Sequence, residues 1–303
     1  MRGSCAVVMS LVMAASAVAQ EKQEDQGKTI KIPGTPLQDE LPHGETNKPM
    51  WSDHRPSPTT RIYLQVDSGE VEFEQWVDIR IPKDTKAGKQ VRLSEEFEFG
   101  LGARFQLDLY ANSVFQGAGQ ASTLDVRSWA AEIRYALADW GVIWGNPTLY
   151  FEYILWNNGG DGHGDEATSS IEPKLLLGGD ISPALHWGTN FFYEHTTNGS
   201  VLEMGATGTV FYTVIDKYLN IGATVKAVYE SDELPGGTHD RSRELYAGPC
   251  FQVRMAPYPS EVISNGQKTP VTKTRAHLDF EPLFGLTGHS KRAQVLFVFG
   301  WDF

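Results

Sequence analysis

Val295-Leu296-Phe297-Val298-Phe299-Gly300-Trp301-Asp302-Phe303 closes the chain. Side chains alternate across an extended strand, so Val295, Phe297, Phe299, Trp301 and Phe303 share one face, with Gly300 and Asp302 on the other. A face so rich in aromatics needs an apolar surrounding. The same alternation recurs upstream. Leu219, Ile221, Ala223, Val225 and Ala227 alternate with Asn220, Gly222, Thr224 and Lys226. Phe105, Leu107, Leu109 and Ala111 alternate with Gln106, Asp108, Tyr110 and Asn112, and Leu149, Phe151, Tyr153 and Leu155 oppose Tyr150 and Glu152. This is the period of strands with one apolar and one polar side.

Such segments number about twelve, and each has the roughly 9 to 11 residues that a tilted strand needs to cross a bilayer. They are 71–81, 91–99, 103–112, 124–136, 147–156, 169–178, 184–195, 202–213, 218–230, 243–255, 273–286 and 293–303. A soluble sandwich would also alternate. Aromatic apolar faces in nearly every strand, with charges at mid-strand on the polar faces, instead suit lipid outside and a wet lumen inside. The expected fold is all-β, an antiparallel transmembrane β-barrel of about twelve strands over residues 61–303. A terminal strand that pairs with the first removes the open sheet edges that lipid does not tolerate.

Residues 1–19 read as a secretory signal peptide. Arg2 is the positive start, Ala6 to Ala15 the apolar run and Ala17-Val18-Ala19 the small-residue site, with cleavage between Ala19 and Gln20. Residues 20–60, rich in Pro, Gly and charge and without either period, read as a flexible periplasmic leader. Past the signal there is no long apolar run, which excludes helical spans, and Cys250 is the remaining cysteine, which excludes an internal disulfide. The formal net charge of −12 leaves no basic stripe for nucleic acid. The cell outer membrane is the expected location, with its lipid as the surrounding partner.

Local signals refine the pattern. In 124–136 the apolar set shifts from Leu124 and Val126 to Trp129, Ala131, Ile133 and Tyr135, which predicts a bulge near Arg127-Ser128. Pro173, Pro249 and Pro282 cannot donate to a ladder, so each should mark a bulge, a strand end or a locally unpaired edge. Gly100-Leu101-Gly102 reads as a short periplasmic connection. Residues 256–271 read as a long one holding a short helix or a plug-like excursion.

Glu96-Phe97-Glu98-Phe99-Gly100-Leu101-Gly102-Ala103-Arg104-Phe105-Gln106-Leu107-Asp108-Leu109-Tyr110 resembles a hairpin of outer-membrane transporters related to the MetA-pathway-of-phenol-degradation group. Ile171-Glu172-Pro173-Lys174-Leu175-Leu176-Leu177 and Ala247-Gly248-Pro249 are similar to two further strand segments of that group, though Gly102 stands where the group often has Thr. The resemblance implies a barrel transporter over about Arg61 to Phe303. Phe303, with Trp301, also resembles the C-terminal aromatic signature read by the barrel-assembly machinery.

The inward set is strongly ionic, and the candidates for lining the lumen are Glu98, Arg104, Asp108, Glu152, Glu172, Lys174, Lys226, Asp279 and Glu281. Carboxylates outnumber bases. Two readings stay open: an electronegative lumen that attracts cations or polyhydroxylated solutes, or Arg and Glu pairs that fill a closed one. Glu96 with Glu98, and Asp279 with Glu281, lie two apart simply because strands alternate. His186, His195 and His277 are candidate bases, but no nucleophile motif accompanies them. The loop Asn157 to Glu166 has oxygen donors and His163 but lacks the spacing of a calcium loop. No catalytic, cofactor or metal residues are therefore expected. Passage or uptake of a small solute is the expected function, with a non-conducting structural or adhesive barrel, or a lipid-acting barrel enzyme, as the alternatives.

Overall fold

The computed structural model describes residues 37–54, 56–84, 88–117, 124–157, 169–197, 201–234, 237–264 and 267–303. The signal peptide, its cleavage site at Ala19 and Gln20, the start of the leader and most of the loop 157–166 lie outside the described residues. Two short strands, β1 (Pro42–His43) and β2 (Lys48–Pro49), precede the barrel, with 3-10 turns at Gln38–Glu40 and Met50–Asp53. The barrel strands are β3 (Val71–Ile81), β4 (Lys89–Gly102), β5 (Phe105–Gly117), β6 (Leu124–Ala136), β7 (Thr148–Trp156) and β8 (Ser169–Ser182). They continue as β9 (Leu185–Thr196), β10 (Val201–Ile215), β11 (Leu219–Leu234), β12 (Thr238–Ser264), β13 (Gln267–Gly285) and β14 (Ala293–Asp302).

Each pairs antiparallel with its neighbour in sequence, and β14 closes onto β3, from Ala293 against Ile81 to Asp302 against Glu72. Phe303 adds one bond, its N–H donating to the Val71 carbonyl. Closure satisfies every edge, which is what lets strands stand in lipid. The outer face is apolar: Trp129, Phe151, Tyr153, Tyr212 and Leu278 are all exposed. The inside is polar and buried, the reverse of a soluble protein.

The local signals have structural counterparts. Asn112 faces Ser128 while Ser113 faces Val126, so Arg127 is the extra residue of a bulge. Around Pro173 the β8–β9 ladder breaks between Ile171 and Lys174, and β12–β13 breaks between Ala247 and Phe251, where Pro249 and Pro282 stand opposite each other. Residues 256–264 and 267–271 are strand, neither helix nor plug. They extend β12 and β13 as one paired ribbon past the barrel, with Pro257 against Thr274 and Ser264 against Gln267.

The larger correction concerns the leader. From Gln38 onward it belongs to the same compact unit as the barrel, Gln38–Phe303. Residues 38–66 are a plug, with Trp51, Tyr63, Ile62 and Leu64 buried. Proline-rich composition suggested disorder, but Trp51, Ile62, Tyr63 and Leu64 cluster with Ala136 and Phe211 of the wall, and the polar lumen supplies further partners.

Candidate functional site: the plugged lumen

The plug enters from the side of the short turns and is held level by level. At the mouth, the Gln38 and Asp39 backbone N–H groups donate to the Asp216 carboxylate at 2.9 and 3.0 Å, and Arg254 pairs with Asp39. Leu41 and Met50 pack on Val262 and Val271 of the projecting ribbon. Trp51, fully buried, stacks on His186 with centroids 4.2 Å apart and donates to Asp180 at 2.9 Å. Higher up, Asn190 grips the Arg61 backbone from both sides, accepting from its N–H at 2.8 Å and donating to its carbonyl at 2.7 Å. Ser57 donates to Glu281 at 2.6 Å.

Ile62 is seated in a socket of two glycines. Gly178 and Gly188 face each other across β8 and β9, and a Cβ on either would stand 2.5 or 2.6 Å from an Ile62 carbon. Gly188→Val is therefore expected to cost roughly 1–3 kcal/mol of plug docking by overpacking. It should speed chymotrypsin cleavage after Trp51, which is buried until the segment leaves the lumen, by about tenfold or more.

Two ion clusters order the plug, the first within the segment itself and the second tying it to the wall. In the first, His43 reaches Asp53 at 3.0 Å and Asp67 at 2.8 Å, and Lys48 reaches Asp53 at 2.9 Å. Burial opposes charge on His43, but Asp53 and then Asp67 overcome it and push its pKa up to about 9. Burial works against Asp53 too, yet His43 and Lys48 hold it well below the usual carboxylate range. In the second cluster, Arg61 donates to Glu96 at 3.1 Å and to Tyr110 at 2.7 Å. Its other nitrogen lies 3.6 to 3.7 Å from Asp108, Glu98 and Glu132. Arg134 lies beside it, bonded to Asp108 at 2.6 Å, to Glu132, and to Gln65 of the plug at 2.7 Å.

The register shows what the inward carboxylates have in common. Asp302 faces Glu72, Glu72 faces Glu98, Glu98 faces Asp108, and Asp108 faces Glu132. Glu132 then faces Glu152, which faces Glu172. Glu172 stands opposite Glu194 at the Pro173 break, Glu194 faces Glu203, and Glu203 faces Glu230. One carboxylate from each of β14 and β3 to β11 thus lies in a single row. Strands tilted by about 40° and spaced about 4.8 Å apart make such a row climb roughly 3 Å per strand. It begins at Asp302 near the short turns and ends at Glu230 near the long loops. Like charges facing directly are destabilising, so the row needs counter-charge. Arg61 and Arg134 supply it low down, and Lys174, 2.9 Å from Glu172, supplies it higher up.

Burial divides the row. Glu72, Glu98, Asp108 and Glu132 are buried beneath the plug, whereas Glu152, Glu194, Glu203 and Glu230 are half-buried.

Of the residues anticipated as lumen-lining, Glu98, Asp108, Glu152 and Glu172 belong to this row. Lys174 and Lys226 share the inward face. Asp279 holds His277 at 2.8 Å, and Glu281 accepts from Ser57 and Thr59. Arg104 does not line the lumen. It occupies the β4–β5 turn at φ 67° and lies over the Tyr135 ring at the rim. Trp301 and Phe303 point outward, Phe303 77% exposed. His195 approaches the Val201 carbonyl at 3.2 Å, apart from His186 and His277. Arg61 and Lys48 of the plug were not anticipated, because nothing periodic marks them.

Comparison with solved structures supports the architecture. An outer membrane channel of Pseudomonas putida F1 matches with a TM-score of 0.52 at 10% identity, over 80% of this chain and 98% of that one. The fold is that of an outer-membrane barrel. The NanC porin matches with a TM-score of 0.45 at 12% identity, over 77% of this chain and 98% of that one. LpxR from Salmonella typhimurium matches with a TM-score of 0.42 at 9% identity, over 76% and 99%. No protein-family model and no curated protein matches the sequence.

Proposed function

We propose that this barrel is a cation-preferring channel of the outer membrane, closed on its periplasmic side by residues 38–66. The observation that carries the reading is the row of carboxylates climbing the wall through ten adjacent strands. A structural lattice of ion pairs would alternate signs around the barrel. A row of one sign with half-buried members, such as Glu194 and Glu203, instead offers a passing cation successive partners and repels anions. Small cations are the solute class this favours, and the plug makes the resting barrel poorly conducting. Phe303 and Trp301, exposed beside the closing strand, are offered to the assembly machinery on the same reading.

In planar bilayers the full-length mature protein should show low, intermittent conductance, and a variant lacking residues 38–60 a larger, sustained one. Under a potassium chloride gradient the reversal potential should report cation preference, and Glu194→Gln with Glu203→Gln should reduce it. Silence in both proteins would favour a sealed structural barrel. Anion preference would refute the role of the row.

A further inference from the structure

We propose that His54 of the plug, with Glu72 and His277 of the wall, forms a binding site for a divalent transition-metal cation of the zinc kind. The three side chains are buried, and their donor atoms all lie within 4.8 Å of one another. His277 Nε2 is 2.7 Å from Glu72 Oε1, and His54 Nδ1 is 3.9 Å from the same oxygen. Ligand atoms around tetrahedral zinc sit about 3.3 Å apart, given metal–ligand distances of about 2.0–2.1 Å. The observed separations bracket that value. Glu74 Oε1, 3.4 Å from His277 Nε2, is within reach of a fourth position.

Three independent features point to a ligand here. First, His54 Nδ1 is buried, has no hydrogen-bond partner among the described residues and faces Glu72, in a side chain only 8% exposed. An imidazole nitrogen left so costs free energy unless something occupies its lone pair. Second, each histidine has a carboxylate behind it: Asp279 lies 2.8 Å from His277 Nδ1, and Asp302 lies 3.9 Å from His54 Nε2. Carboxylates placed on the far nitrogen fix the tautomer and orientation of metal-binding histidines. Third, the wall is cut back to admit the imidazole. A Cβ at Gly300 would stand 1.9 Å from His277 Nε2 and 2.7 Å from Glu72 Oε1. A cavity of about 50 Å³ lined by His54, Glu72 and Asp302 adjoins the three side chains.

Two imidazoles and a carboxylate suit zinc and its neighbours rather than calcium or magnesium, which take oxygen. The metal would tie the plug to β3 and β13, and the site stands whatever the barrel passes.

Full-length protein in detergent, stripped with a chelator, is expected to take up about one equivalent of zinc. Cobalt in its place should give the visible absorption of a four- or five-coordinate centre. Loading should slow chymotrypsin cleavage after Trp51. His54→Ala should lower zinc affinity at least about tenfold, with Asp302→Asn lowering it by a smaller factor within the roughly 10–100-fold range of orienting carboxylates. Glu261→Gln, on the exposed part of the ribbon, should leave affinity unchanged. Heat-modifiable migration reports folding of each variant, and His54→Gln replaces the alanine variant should that fail to fold. Absence of stoichiometric uptake or of the cobalt spectrum, or equal affinity in a folded His54 variant, would overturn the site.

Discussion

Arg61→Met is expected to release the plug from the lumen while leaving the barrel closed. The Arg61 guanidinium is buried among Glu96, Glu98, Asp108 and Glu132 and lies 5.8 to 5.9 Å from the Trp76, Tyr110 and Tyr150 ring centroids. Methionine keeps the volume but withdraws one of the guanidinium groups those carboxylates share. Breaking a buried ion pair from one side costs about 3–5 kcal/mol, because the remaining charge stays where water cannot reach it. When the plug leaves, water enters and solvates the carboxylates, so the cost falls on the docked state. The opening equilibrium should rise by roughly two to four orders of magnitude. Chymotrypsin cleavage after Trp51 should accelerate to match, and bilayer conductance should approach that of the variant lacking residues 38–60. Arg61→Lys should fall between, since an ammonium keeps the charge but not the planar fork. A cleavage rate equal to that of the unsubstituted protein would show that the plug is held by its apolar contacts alone.

The barrel was legible because each strand has to satisfy a local rule. Lipid on one side and lumen on the other force a period of two. Leu124 to Ala136 was therefore bounded as a strand from sequence, with its bulge, and the prolines at 173, 249 and 282 announced the broken ladders. The plug obeys no local rule. Lys48 is buried because the Leu64 and Gln65 carbonyls and Asp53 surround it, and no spacing within residues 38–66 encodes that. The glycine socket was hidden for the same reason, since Gly178 and Gly188 acquire meaning only when Ile62 arrives. The carboxylate row was half visible. Inward acids could be named singly, but Glu98 and Asp108 become neighbours only through register, which hairpin geometry sets and alternation does not. Arg104 was misplaced by alternation carried one residue too far, into a turn where its φ of 67° takes it out of the strand.

Raising the pH through about 9 should weaken plug docking. The group responsible is His43, 2% exposed, facing Asp53 and Asp67, with Lys48 sharing both carboxylates. Its pKa is raised from 6.5 to about 9 in the docked segment by Asp53 and Asp67 of that same segment, so the state it is compared with is the segment released and unfolded. A raised value means that the docked, folded segment binds the proton more tightly than the released, unfolded one. The stabilisation is thus complete below 6.5 and disappears as the pH passes through 9. At 1.36 kcal/mol per unit the shift amounts to roughly 3 kcal/mol at most. Asp53, held below its ordinary value, acts in the opposite sense and contributes above the usual carboxylate range, so docking should be firmest between weak acid and neutrality. A spin label at Glu45→Cys, in a Cys250→Ala background, should move from an immobile to a mobile spectrum as the pH rises from 7 to 10, with a midpoint near the His43 value. His43→Gln should flatten that response and leave docking weaker at pH 7. A midpoint unchanged by His43→Gln would show that His43 is not the group responsible.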